Sequence, residues 1–174
     1  MTLKDRVRCA KIQREVEGYL ELGLAERALE TLRRLGEPIE FDPRAMHLWG
    51  EALRMLHRYE DAIVPLAQVA ELAPENIHVW LALGWCYKRT GRLDSAIEAL
   101  QRALLSDPTE ALLHYNLACY WSLSGNKRRA LECLSEAIEI DPDYLQLVND
   151  EPDFDPVRFD SDFQALCNRS QARR

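Results

Sequence analysis

The chain has 174 residues, 47% hydrophobic and 29% charged, a balance that sets it apart from disordered and fibrous sequences and gives it enough apolar material for a sizeable core. A net charge of -7 with a pI near 5.2 argues against nucleic acid or an acidic membrane as partner, because both recruit a clustered basic face. Cys9, Cys86, Cys119, Cys133 and Cys167 are odd in number and widely spaced with no C-x-x-C pair, so they read as buried or half-buried free thiols and not as zinc or redox ligands.

The first segment, MTLKDRVRCAKIQREVEGYL, places a charge every two or three residues and holds no apolar stretch of signal-sequence length. No later run approaches the roughly 18 to 20 apolar residues of a membrane span, so a soluble, cytoplasmic chain is expected. From Ala28 onward an interval of 34 residues organises the sequence. It links Ala28, Ala62, Ala96 and Ala130, then Leu32, Leu66, Leu100 and Leu134, then Leu35, Val69, Ala103 and Ala137. Pro74, Pro108 and Pro142 fall on it too, as do Gly91 and Gly125. In this register the units are 9–42, 43–76, 77–110 and 111–144, followed by a tail over 145–174.

The third unit shows the local logic. Two stretches with i, i+3, i+4 and i+7 apolar spacing, 77–90 and 93–105, predict amphipathic helices. Gly91 supplies the left-handed turn between them, and Asp107-Pro108 stops the second. Small residues at Gly84, Ala96 and Ala103 let the backbones approach, and Trp80, Leu83, Tyr87 and Leu100 fill the space around them. The first unit keeps Tyr19, Gly23, Ala28 and Leu32 but has Glu15 and Val16 at the Leu83-Gly84 places, and Glu40 at the proline place. Terminal units often deviate because one face meets solvent. The second has His57 in the glycine column, with Tyr59 expected to pack over the turn. In the fourth, His114 stands at the Trp80 place and Trp121 at the Tyr87 place.

A stack of helix pairs needs a closing element for its last apolar face. The tail suits that work: a short helix over 142–148, an acidic turn-rich link over 149–160, and a last helix over 161–168 capped by Ser161 or Asp160. Leu145, Leu147, Phe154, Phe159, Phe163 and Leu166 are expected to cover the fourth unit.

The residues Trp80, Leu83, Gly84, Tyr87, Gly91, Ala96, Leu100, Ala103 and Pro108 resemble the W-L-G-Y-A-F-A-P signature of the tetratricopeptide repeat (TPR) family, with Leu100 in place of the usual aromatic. The tail wording P-D-F-D-P-V-R followed by D-F-Q-A-L resembles the ending of many bacterial TPR proteins. The resemblance covers about four fifths of the chain. It implies an all-α fold: a TPR superhelix of antiparallel helix pairs with a C-terminal capping helix.

It also implies a concave groove lined by the first helices, with ligands touching the second, fifth, ninth, twelfth and thirteenth places of each repeat. The second repeat puts Arg44, His47, Glu51, Arg54 and Met55 there, and the third His78, Leu81, Trp85, Lys88 and Arg89. The fourth contributes Leu112, Tyr115, Cys119, Ser122 and Leu123 with Asn116 beside them, and the first Ala10, Gln13, Glu17, Leu20 and Glu21. Arg44, Arg54, Lys88 and Arg89 against Glu51 make the middle of this groove basic within an acidic protein. Trp85 and Tyr115 are expected there as exposed rigid aromatics, the residue type that anchors interfaces. The expected partner is therefore another protein, presenting an acidic peptide with an apolar anchor gripped by arginine forks. The alternative reading of the same places, weighed behind the groove, is a solvated helical face with Trp85 partly buried.

A carboxylate clamp of the co-chaperone type fits poorly: Asn116 matches its pattern, but Gln13 and Glu17 stand where it needs lysine and asparagine. The acidic, aromatic tail complements a basic groove, so self-association through a neighbour's groove is a further expectation beside simple capping. No cofactor and no metal is expected, since His47 and His78 are too few ligands to hold one. There is no phosphate loop, G-x-G-x-x-G, H-E-x-x-H or G-x-S-x-G, and no histidine base is placed against Cys119, so the chain does not read as an enzyme. An adaptor or scaffold that binds a protein segment is the leading expectation. A chaperone that shields a client's apolar segment is the alternative, with an enzyme or enzyme subunit behind both.

Overall fold

A computed structural model describes residues 3–36 and 42–172, with 169–172 as backbone alone. The described residues are helical, without strands, and none of their helices is long and apolar enough to cross a membrane. The chain divides into two compact units, Met1–Thr90 and Gly91–Arg174. Glu40, whose replacement of a proline marks the first repeat, lies outside the described residues.

The first unit contains α1 (Leu3–Glu21), α2 (Ala25–Leu32) with a 3-10 turn over Arg33–Leu35, α3 (Pro43–Met55), α4 (Tyr59–Leu72) and α5 (Ile77–Arg89). α1 packs on α2 and α3 on α4, and within each pair a turn of three residues forces the helices antiparallel. Both turns close in one way. The Leu24 and Arg58 amides reach back to the Tyr19 and Leu53 carbonyls at 2.8 and 2.9 Å, with Gly23 and His57 in the left-handed region at φ 74° and 59°. A histidine is strained there where glycine is not, and its ring bonds the Tyr59 hydroxyl at 2.7 Å, the contact expected over this turn.

α3 starts at Pro43 behind Asp42, whose carboxylate accepts from the Ala45 amide at 2.8 Å. The buried Gln13 amide on α1 donates to both Asp42 oxygens at 2.9 and 2.8 Å, so one carboxylate caps α3 and ties it to α1. α5 is capped by Asn76, and Trp80 donates its indole N–H to the Pro74 carbonyl at 2.9 Å while its ring is buried.

The second unit contains α6 (Leu93–Ser106), α7 (Ala111–Leu123), α8 (Lys127–Ile140), α9 (Tyr144–Leu147), a 3-10 turn (Pro152–Phe154) and α10 (Ser161–Ala172). Gly125, at φ 78°, repeats the turn between α7 and α8, with the Asn126 amide on the Trp121 carbonyl at 2.9 Å. In both units the periodic columns share one fate: Ala28, Ala62 and Ala96 are 0% exposed, as are Leu32, Leu66, Leu100 and Leu134. The small alanines bring helix backbones together and the leucines fill the space beside them.

The tail covers the second unit's end with a residue set that differs from the expected one. Leu145, Phe154 and Phe163 are buried as expected, and Leu166 is half-buried. Leu147 and Phe159, expected to cover the fourth repeat, are 52% and 87% exposed, and Val148 and Val157 are buried in their place. The reason is Arg158: its guanidinium donates to the carbonyls of Val148, Asn149 and Glu151 at 3.3, 2.7 and 2.8 Å, which winds the link into a compact knot and turns Phe159 outward. Asp160 caps α10 through the Asp162 and Phe163 amides, while Lys127 at the start of α8 holds Asp160 and Asp162 at 3.0 and 3.1 Å. The last helix starts where expected and runs on to Ala172.

Candidate functional site

Within the first unit, α3 packs against α1 and α5, so these first helices lie side by side. At the α1 side, Arg44 grips Glu17 with two nitrogens at 3.0 and 2.7 Å. Two to three turns further along α3, Arg54 bonds Glu51 at 3.1 and 2.7 Å with both side chains half-buried. The basic excess expected along this face is therefore reduced, because Glu17 of α1 neutralises Arg44 and Glu51 occupies Arg54.

His47 is half-buried and His78 exposed. Burial lowers the His47 pKa below its ordinary value; Glu51 opposes this, and His78 and Arg54 add to it. The two imidazoles are thus electrostatic neighbours, as their register implies. Among the described residues no group of three or more His, Cys, Asp or Glu side chains could hold a metal. Behind this face Cys86 is fully buried, and burial pushes its thiol up to about 12, which disfavours the thiolate.

α5 supplies the aromatic part. Trp85 is 37% exposed, with the Lys88 ammonium 5.1 Å from its ring centroid. The Arg89 guanidinium lies 5.3 Å from the ring centroid of Tyr59, a residue of α4 that the groove places do not include. Such cations are attracted to the negative face of the ring. Leu81 is half-buried on the same helix. The face so built carries cations, an accessible indole and a half-buried aliphatic side chain, which can hold carboxylates around an apolar anchor. Tyr59 could have been suspected from its place beside the strained His57.

In the second unit the expectation is overturned. Tyr115, expected as an exposed aromatic, is only 6% exposed: its ring meets Tyr144 at 5.0 Å and Phe154 at 5.7 Å. Cys119 and Ser122, at the next groove places of α7, are 1% and 0% exposed. The tail closes this face, and burial raises the Tyr115 phenol well above its ordinary value, with Cys119 and the carboxylates of Glu151 and Asp153 adding to it. The Tyr115 and Ser122 hydroxyls find no hydrogen-bond partner among the described residues. Asn116 remains half-exposed and donates to the Leu112 carbonyl at 3.0 Å. The tail thus covers its own α7.

Comparison with known proteins agrees with this architecture. Two family models described as tetratricopeptide repeat match residues 53–119 and 111–144, together more than half of the chain. The chain is 30% identical over 82 residues to Superkiller protein 3 of Schizosaccharomyces pombe, covering 47% of this chain and 6% of that protein. It is 27% identical over 127 residues to the BBSome complex member BBS4 of Bos taurus, covering 71% of this chain and 24% of that protein. The chain therefore spans a small part of these relatives. Among solved structures, MamA AMB-1 is similar with a TM-score of 0.68 and 27% identity over 79% of this chain and 76% of that one. YrrB, a TPR protein with an unusual peptide-binding site, is similar in fold with a TM-score of 0.69 and 23% identity over 77% of this chain and 69% of that one. With hairpins recurring every 34 residues, left-handed turns at the same place and two family models matched across the repeats, the chain belongs to the tetratricopeptide repeat family.

Proposed function

We propose that the chain is a protein-interaction scaffold whose α3–α5 face in the first unit takes an acidic peptide segment with an apolar anchor. The carrying observation is Trp85: a 37% exposed indole on α5, beside Lys88 and close in sequence to the Arg89–Tyr59 stack. Rigid aromatics flanked by cations concentrate binding energy, because the ring buries much area at little entropic cost and the cations select carboxylates. The names of the relatives support the scaffold reading, since BBS4 is a BBSome complex member and another relative is subunit 3 of the anaphase-promoting complex. The binding residues in this reading are Arg44, His47, Arg54, His78, Leu81, Trp85, Lys88 and Arg89, all in the first unit; Asn116 and the buried Tyr115 belong to the second unit and are not assigned to this face. The organisation proposed with it is four repeats, 9–42, 43–76, 77–110 and 111–144, and a capping segment over 145–174.

The test is calorimetric titration with three synthetic peptides sharing one tryptophan anchor and flanked by Asp/Glu, by Lys/Arg or by neutral residues. The acidic peptide binds best and loses affinity as salt rises. Trp85→Ala costs about 2 kcal/mol and Arg89→Glu about 1 to 3 kcal/mol of binding. Equal binding of the neutral peptide, insensitive to salt, would favour the client-shielding chaperone instead. Indifference of all three peptides to Trp85→Ala refutes this face as the site.

A further inference from the structure

The N-terminal end of the first unit carries a surface that the α3–α5 face does not use. Leu3 and Val7, 77% and 62% exposed, line a depression of about 510 Å3 with Ile12. Lys4, Arg8 and Lys11 recur at helical spacing along the same depression. The Arg8 guanidinium is held in place by a 2.9 Å bond to the Arg34 carbonyl. An apolar floor with a cationic rim suits an apolar group surrounded by carboxylates.

The far end of the chain has that chemistry. Residues 141–162 hold eight carboxylates, opposed by Arg158 within the segment and by Lys127 of α8, which pairs with Asp160 and Asp162, so the segment stays strongly acidic, with Asp141, Asp143 and Asp150 exposed. Phe154 and Phe163 are buried within their own unit, but Phe159 between them is 87% exposed. Its neighbours are fixed, Arg158 by three backbone carbonyls and Asp160 by Lys127 and its cap on α10. The ring is therefore presented by an ordered turn, and docking it forfeits little conformational freedom.

We propose that the depression docks the acidic C-terminal segment of a second copy of this chain, with Phe159 entering between Leu3, Val7 and Ile12 and the carboxylates facing Lys4, Arg8 and Lys11. The two copies use different patches, so the contact is heterologous and either propagates or closes into a ring. Long-range attraction between the ends makes it sensitive to salt.

Sedimentation velocity of the full chain over a range of concentration and salt tests this. Mass rises with concentration at low salt and falls back at high salt. Phe159→Ala, and separately Lys4→Glu with Lys11→Glu, alter only exposed side chains, and each raises the dissociation constant about tenfold or more. Mixing these two variants restores one interface, because one retains the depression and the other the exposed ring, so the mixture gives a dimer that neither forms alone. A chain that stays monomeric at every concentration overturns the proposal, as does association that ignores both variants or a mixture that yields no dimer. A monomer whose depression binds only an unrelated acidic peptide overturns it in favour of a foreign partner.

Discussion

Gly50 and Gly18 make the same substitution to alanine act in opposite directions. A Cβ on Gly50 in α3 would stand 2.7 Å from Leu66 Cγ and 2.8 Å from its Cδ2. Leu66 is 0% exposed, so it has no free space into which to swing. Alanine gains about 1 kcal/mol over glycine in a helix interior, whereas forcing a methyl into a closed core loses about 1 to 3 kcal/mol. The enclosure of Leu66 lets the clash win, and Gly50→Ala is destabilised by about 1 kcal/mol net. At Gly18 in α1 a Cβ meets nothing within 4 Å, so only the helix term acts and Gly18→Ala gains about 0.5 to 1 kcal/mol. Urea unfolding followed by far-ultraviolet circular dichroism reads both, and melting temperatures separate by about 2 to 4 °C per kcal/mol in a chain of this size. In a Leu66→Ala background the Gly50→Ala penalty disappears, because its clashing partner is gone. A Gly50→Ala chain as stable as Gly18→Ala would refute close α3–α4 packing at this point.

Asp42→Ala removes the α3 cap and leaves the buried Gln13 amide unpaired, for a loss of about 2 kcal/mol in denaturant titration. Combining it with Gln13→Ala loses less than the two single changes summed. Phe154→Ala opens the tail over α7 and destabilises the second unit by about 3 to 5 kcal/mol; alkylation mapped by mass spectrometry then finds Cys119 reactive, where the parent chain shields it. His47 has a folded pKa below 6.5, so the unfolded chain takes up the proton first. Its contribution to stability is full above about pH 6.5 and is lost as pH falls from there through the lowered folded value. Stability curves of His47→Gln against pH lack this step, and an unchanged acid limb would contradict the burial of His47.

The all-helical fold and the turn positions were legible in the chain because each rests on local chemistry. Ala28, Ala62 and Ala96 recur every 34 residues, and the backbone at Gly23, Gly91 and Gly125 requires a positive φ that glycine adopts without strain. Even His57 could be assigned its turn, since the column dictates the conformation and the neighbouring Tyr59 supplies a bond. The place of Trp85 on a first helix also followed from spacing alone.

Side-chain fates decided over long separations were not legible. Tyr115 and Trp85 both occupy groove places, yet Tyr115 is buried against Phe154, because only the folded tail brings residue 154 against α7, whereas Trp85 is 37% exposed. The tail's apolar residues looked equivalent until Arg158 gathered three carbonyls, buried Val148 and Val157 and turned Leu147 and Phe159 outward. Charge balance followed the same rule, with Glu17 neutralising Arg44 across 27 residues. By itself the sequence determined periodicity, helices and caps, which depend on neighbours a few residues away. Which groove places stay open was decided only by tertiary packing, since burial is set by whatever distant segment comes to lie on a surface.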